Sequence, residues 1–470
     1  MRTNSLNLLR TAARCGDSCK RATLPRASQC ATRLASSLTT TSSSGETRTW
    51  STPLAKMLGE AITATGPISV AAYMRQCLTA PEGGYYTRQT STGQDQFGAK
   101  GDFVTSPEIS QVFGELIGIW LYAEWLAQGR KESVQIIEVG PGRGTLMDDV
   151  LRTVSSFKAF ASSIEAVYLV EASPHLQKQQ AKLLAGTEEL PRSDIGWKAP
   201  LRCIPNVNIQ WCEDIRFVPK EETSTPFILA HEFFDALPIH VFQNIAQSSI
   251  PASSMVMTPT GPIKPKHGVT APKNTWHELV VSPVSPYASA STTLTSSGKT
   301  KDDEKLDFEL TVSKTPTPHS LYLPKMSERY RKLEDIPDAI IEVSPESMSY
   351  VSDFAVRIGG GNPPAKVEPQ PNSISVQSAE PTPFNKSQPS GAALILDYGP
   401  ANTIPANTFR GIRSHRSVSP FTAPGLVDLS ADVDFLALAE SALDASPGVE
   451  VHGPVEQSFF LSTMGIKERA

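Results

Sequence analysis

Residues 136–146 read Ile-Ile-Glu-Val-Gly-Pro-Gly-Arg-Gly-Thr-Leu: an apolar run, a Gly-x-Gly-x-Gly turn, then helical spacing through Val154. Glycine lets a backbone turn sharply and lets a ligand touch the main chain, and the first N–H groups of the following helix face that ligand. Gly140, Gly142 and Gly144 are therefore candidate binding residues, although a ligand-free strand-to-helix turn has the same signature. Acids at two further strand tips sharpen the reading. The run Val167–Val170 ends in Glu171, where a carboxylate can accept both hydroxyls of a ribose. The run ending Trp211-Cys212 meets Glu213-Asp214, which places Asp214 to receive an adenine amine. The turn lacks the Gly-x-Gly-x-x-Gly diphosphate spacing of nicotinamide folds. A nucleoside cofactor without a diphosphate fits better, and S-adenosylmethionine is one.

A second constellation follows the apolar run Phe227–Ala230: His231-Glu232-Phe233-Phe234-Asp235. Paired carboxylates just past a strand suit a cationic group, and arginine is the natural candidate. Its guanidinium stays protonated in water and must be held, and relieved of a proton, around methyl transfer. Glu232 and Asp235 are the candidate clamp. From spacing alone a helix start, with acids on its dipole and phenylalanines in the core, reads equally well. His231 reads as a supporting residue rather than a base.

These residues need a scaffold that sets strand ends side by side. Ile136–Val139, Val167–Val170, Val207–Trp211, Phe227–Ala230, Ala339–Val343 and Ala393–Leu396 are short β-prone runs, several followed by helical periodicity. This alternation predicts an α/β fold with one mostly parallel, Rossmann-like sheet. Trp276–Ser282 and Leu306–Ser313 predict an antiparallel β-ribbon. Upstream, Thr105, Ser106, Pro107 and Glu108 form a capping-box helix start, and the loop 101–105 before it can line a site.

The 470 residues leave room for two or three domains, and net charge −5 with pI near 6 argues against a general nucleic-acid binder. No apolar run is long enough to span a membrane; Leu116–Leu126 is broken by Glu124. Residues 1–45 carry seven basic side chains against one acid and are rich in Ser, Thr and Ala, the composition of a disordered mitochondrial presequence. Three of the six cysteines lie there, and the rest show neither a disulfide framework nor zinc-ligand spacing, so no metal site is read. The expected organisation is a presequence over 1–45, an N-terminal helical region over 46–135 and a catalytic domain over 136–470. Low-complexity insertions at 283–305 and 359–391 should be mobile.

The blocks GDFVTSPEISQVFGELIGIW (101–120), IIEVGPGRGTLMDDVLR (136–152), VYLVEASPHL (167–176), ILAHEFFDALPIHVF (228–242), ALILDYG (393–399) and RGIRSHRSVSPFTAPGLVDLSADVDF (410–435) run in order along the chain. In these blocks the sequence resembles the MidA-like mitochondrial protein arginine methyltransferases, the complex I assembly factor 7 family. The resemblance implies a class I methyltransferase sheet with added N-terminal helices. It implies transfer of methyl from S-adenosylmethionine to an arginine ω-nitrogen, giving symmetric dimethylarginine. The protein substrate it implies is a matrix-arm subunit of complex I, of the 49-kDa type, modified in the mitochondrial matrix. By the same resemblance Gly140, Gly142 and Gly144 frame the cofactor turn, Glu171 holds the ribose, and Thr105, Ser106 and Glu108 sit near the cofactor's amino-acid end. A homodimer accords with related methyltransferases. Two departures stand out: His231 occupies a position where the family usually has Asn, and family members continue beyond the block at 453–466 with a helix and a final strand, which predicts an open sheet edge here. A non-catalytic assembly chaperone on the same fold, and a small-molecule methyltransferase, are the competing readings.

Overall fold

The computed structural model describes residues 48–88, 101–246, 256–258, 261–263, 274–285, 306–361 and 384–469. The expected presequence, and residues 286–305 and 362–383 of the two expected insertions, lie outside the described residues. Thr49–Ala470 form one compact unit.

Its centre is a seven-stranded sheet. Five strands are parallel: β1 (Val134–Val139), β2 (Ile164–Val170), β3 (Asn208–Cys212), β4 (Thr225–His231) and β5 (Ala392–Leu396). They lie in the order β5-β4-β1-β2-β3, and Gly196–Pro200 and Arg192–Ser193 extend the β3 side antiparallel. The order reverses between β1 and β4, and ligands of open α/β sheets bind at the carboxyl ends of strands flanking such a reversal.

Every residue of β1 and β4 is buried, because helices cover both faces. Alternate residues then feed different cores. Ile136, Val167, Leu169, Phe227 and Leu229 pack with helices Gln111–Ala127 and Thr145–Ser155. Ile137, Tyr168, Val170, Ile228 and Ala230 pack on the other face with Val351 and Phe354 of helix Pro345–Gly359. The first two helices approach closely because Gly114 faces Asp149; a Cβ there would stand 2.5 Å from Asp149 Cβ. β5 borders only β4 among the described residues and is mostly half-exposed, as an open edge requires.

The expectation that Ala339–Val343 belongs to the parallel sheet is corrected. Ile340–Val343 pairs antiparallel with His240–Ala246 in a second, five-stranded sheet. There Glu342 is buried and its carboxylate accepts from the Thr408 amide at 2.9 Å, a contact that apolar patterning could not reveal. The expected ribbon is present as Asn274–Pro283 paired with Phe308–Val312, but it is built into this second sheet, where Asn274–Pro283 also pairs with His240–Ala246 and Ile68–Ser69. Helices Pro53–Thr65 and Val70–Thr79 share a core with it through Leu54, Leu58, Ile62, Tyr73, Met74, Val241 and Val281. Together they carry Leu78, Thr79, Tyr86 and Thr87 to the carboxyl edge of the parallel strands, where they form one wall of a cavity. No helix among the described residues is long and apolar enough to cross a membrane.

Candidate active site

The cavity measures about 230 Å³ and opens at the carboxyl ends of β1, β2 and β4. Gly140, Gly142 and Gly144 adopt φ of 63°, 51° and 84°, the left-handed region that glycine enters without cost. Gly140 and Gly142 line the cavity. Gly144 caps helix Thr145–Ser155 beneath it, and its amide closes the turn on Pro141 O at 2.8 Å. At Gly140 even a single added carbon is excluded, because a Cβ would sit 2.6 Å from Phe233 Cδ2.

Glu171 follows β2 and faces the cavity. Its Oε1 accepts from the Ser173 amide at 2.8 Å and its Oε2 from Gln180 Nε2 at 3.3 Å. Burial pushes this carboxyl up to about 7. Glu138, inside β1, also reaches the cavity, and its Oε2 has no hydrogen-bond partner among the described residues. Burial first and the Glu171 charge second push it up to about 8. An orphaned buried carboxylate oxygen and a turn too tight for a side chain both fit a cationic, backbone-hugging ligand such as S-adenosylmethionine.

At the tip of β3 the cavity is lined by Glu213, not by Asp214. Asp214 turns away: its Oδ1 accepts from the Arg216 amide and Nε at 2.8 and 2.9 Å, and its Oδ2 from Arg216 Nη2 at 2.8 Å. Of the upstream block, Thr105 and Glu108 line the cavity, while the Ser106 hydroxyl accepts from Gln457 Nε2 at 3.3 Å and does not. Glu108 also receives the Thr105 amide at 3.2 Å and Arg143 Nη1 at 3.1 Å, which ties the glycine turn to the upstream helix.

Beyond β4, Glu232 lines the cavity with φ +48°, an uncommon backbone for a non-glycine residue. The Tyr398 hydroxyl donates to its Oε1 at 3.0 Å. Burial, with smaller pushes from Asp235 and Glu108, raises its carboxyl to about 7. Asp235 stands behind this wall and does not line the cavity; its Oδ2 accepts from Ser430 Oγ at 3.0 Å. The expected pair of carboxylates facing one ligand is thus reduced to Glu232. His231 lines the cavity beside Phe113; its Nε2 lies 3.6 Å from Glu232 Oε1 and makes no hydrogen bond among the described residues, and burial holds it down at about 4, so it is neutral at physiological pH.

Three supports were not among the candidate site residues, although two of them lie in the block at 393–399. Gln180 is fully buried; its Nε2 donates to Gly142 O at 2.6 Å as well as to Glu171, and its Oε1 accepts from Trp211 Nε1 at 2.9 Å. One amide therefore locks the glycine turn, Glu171 and β3 together. Asp397 Oδ2 accepts from the amides of Phe233 and Phe234 at 3.1 and 2.8 Å and fixes the loop that carries Glu232. Burial raises the Asp397 carboxyl, and the neighbouring Asp235 raises it further. With Tyr398 it sits in the block Asp397-Tyr398-Gly399 just past β5, where a strand-end rule could have flagged both. Gln180→Leu keeps the volume but leaves Trp211 Nε1 and Gly142 O unpaired. The expected cost is about 2–4 kcal/mol of stability and at least tenfold in cofactor affinity. Thermal unfolding and calorimetry with S-adenosylhomocysteine read the two separately.

Residues 116–455 match the family described as "Putative S-adenosyl-L-methionine-dependent methyltransferase". The protein arginine methyltransferase NDUFAF7, mitochondrial, of Danio rerio is 36% identical over 88% of this chain and 77% of its own. The human protein of that name is 33% identical over 89% and 74%, and the Drosophila melanogaster homolog 33% over 87% and 74%. The fold is also that of a superfamily member from Burkholderia thailandensis crystallised with S-adenosyl-homocysteine, with TM-score 0.53, 20% identity, and 89% and 82% of the two chains covered. The chain therefore belongs to the NDUFAF7 family of protein arginine methyltransferases, enzymes whose methyl donor is S-adenosylmethionine.

Proposed function

We propose that the protein methylates an arginine ω-nitrogen on the 49-kDa-type matrix-arm subunit of complex I, inside the mitochondrial matrix, and yields symmetric dimethylarginine. The observation that carries this reading is Glu232, a carboxylate facing the cavity on a strained backbone and held by Tyr398. Bound against Gly140 and Gly142, with Glu171 for the ribose hydroxyls and Glu138 at hand for a cationic centre, S-adenosylmethionine supplies an electrophilic methyl. Glu232 receives the guanidinium by charge-assisted hydrogen bonds. Because its carboxyl titrates near 7, it can take the proton that the guanidinium gives up as the new N–C bond forms. Phe233 and Tyr350 line the same end of the cavity and exclude water from the nitrogen. A homodimer remains the expected assembly.

The test is transfer of labelled methyl from S-adenosylmethionine to the recombinant 49-kDa-type subunit, followed by acid hydrolysis and separation of the methylarginines. Label in symmetric dimethylarginine is expected. Label confined to the asymmetric isomer would overturn the product assignment. Methylation of small molecules alone would overturn the protein substrate.

A further inference from the structure

The second sheet holds a polar cluster that the methyl-transfer reading does not use. Its register pairs Glu278 with Phe242, so His240, two residues along the same strand, lies diagonal to Glu278 on the same face. His240 Nδ1 and Glu278 Oε1 are 2.7 Å apart, with side chains 10% and 2% exposed. The third member arrives from helix Pro318–Tyr322: the His319 ring lies 4.1 Å from the His240 ring, centroid to centroid, at its solvent side. One ligating atom from each of the three residues lies within 4.8 Å of the other two, and this is the one such group among the described residues. None of the three lines the cofactor cavity.

We propose that His240, Glu278 and His319 form a zinc site. Two imidazoles and one carboxylate, without thiolate, are a zinc donor set; three protein ligands leave the fourth tetrahedral place to water, here on the side where His319 meets solvent. Ligand atoms about 2.0–2.2 Å from a tetrahedral ion stand about 3.3–3.6 Å from one another, so His240 Nδ1 and Glu278 Oε1, now 2.7 Å apart, must part by several tenths of an ångström to admit it. Closure requires His319, the exposed member, to swing inward by rotation about its side-chain bonds. When a neutral His240 gives Nδ1 to the ion, its single proton resides on Nε2, so the ring changes tautomer without losing charge balance. The outer shell is already in place. The Thr317 hydroxyl donates to Glu278 Oε2 and accepts the Ser320 amide at 3.1 Å, so it orients the carboxylate and caps the helix that carries His319. Phe242 lies parallel to the His240 ring at 6.1 Å and sets its plane. An ion here fastens the segment after the ribbon to the sheet that supports the N-terminal wall of the cavity.

The experiment uses the full chain, stripped with a chelator and dialysed against micromolar Zn²⁺, with bound metal counted by elemental analysis. One zinc per chain is expected. His319→Ala alters an exposed position and leaves the fold intact, which circular dichroism verifies; it should weaken binding at least 100-fold. Thr317→Val should weaken it about 10–100-fold, the usual effect of an outer-shell change. Co²⁺ in place of zinc should give the intense visible bands of a four-coordinate site in the wild type and lose them in His319→Ala. His452→Ala removes an exposed imidazole beside Glu450 and should change nothing. Absence of stoichiometric zinc in the wild type overturns the proposal. So does zinc retained undiminished by His319→Ala, or lost equally in His452→Ala, which would mark an adventitious ion only.

Discussion

Gly140→Val is expected to lower the affinity for S-adenosylhomocysteine by about 100-fold or more, through two separate penalties. The backbone at 140 has φ of 63°, where an L-residue costs about 1–2 kcal/mol and a β-branched one more. The new Cβ would also stand 2.6 Å from the Phe233 ring, which cannot readily retreat, because it packs edge-on against Phe234 and Tyr350 at centroid distances of 5.4 and 5.0 Å. Overpacking of that kind costs about 1–3 kcal/mol. Either the turn unwinds or Phe233 is driven into the cavity, and both destroy the surface a nucleoside would touch. A tenfold loss of affinity corresponds to about 1.4 kcal/mol, so a hundredfold loss, about 2.8 kcal/mol, falls within the combined penalty of about 2–5 kcal/mol. Calorimetry measures it directly. The double variant Gly140→Ala with Phe233→Ala separates the causes, since removing the ring should restore stability to Gly140→Ala while leaving the φ penalty. Wild-type affinity in Gly140→Val would show that this turn does not hold the cofactor.

The scaffold was readable because its strands are buried on both faces. Burial of that kind makes β1, β2 and β4 mostly apolar, and glycine or an acid then marks the point where each strand meets the cavity. Ile340–Val343 carries the same apolar signature but pairs antiparallel elsewhere, because pattern reports burial and not partner. The acid at the tip of β3 was misplaced by one residue. Adjacent acids look alike in sequence, and only Arg216, two positions on, decides which of them turns away. Glu138 could have been found, since a carboxylate inside a strand buried along its whole length needs a reason to be there. Gln180 could not: a glutamine on a helix is ordinary, and its role arises from Gly142, Glu171 and Trp211 meeting at one amide. The zinc-site residues were equally silent, because they come from three elements scattered along the chain and only the sheet register brings them together.

Glu232→Gln is expected to reduce turnover by about 10²–10⁴-fold, the usual worth of a positioned general base, while cofactor affinity changes little. Glutamine keeps the shape and can still accept the Tyr398 hydroxyl, so the fold and the strained loop survive; what disappears is the negative charge and the place for a proton. The pH profile carries the same claim with a definite sign. Burial raises the carboxyl from 4.5 to about 7, so below that pH the group is protonated and can neither hold a guanidinium nor accept from it. With S-adenosylmethionine saturating, so that the other cavity carboxyls do not limit binding, activity should fall about tenfold per pH unit on the acid side and level off above, and Glu232→Gln should lose that limb. Tyr398 donates to the ionised form and pulls the carboxyl down against the push of burial. Tyr398→Phe should therefore move the acid limb to higher pH, a shift that a merely structural tyrosine would not produce. Phe233 and Phe234 stay anchored to Asp397 in every variant, so a lost loop cannot imitate the result. If Glu232→Gln turned over an arginine substrate at the wild-type rate with an unchanged profile, the proton would have to leave by another route. The Glu232 carboxylate would then serve substrate docking alone, because among the described residues no other acid past β4 lines the cavity.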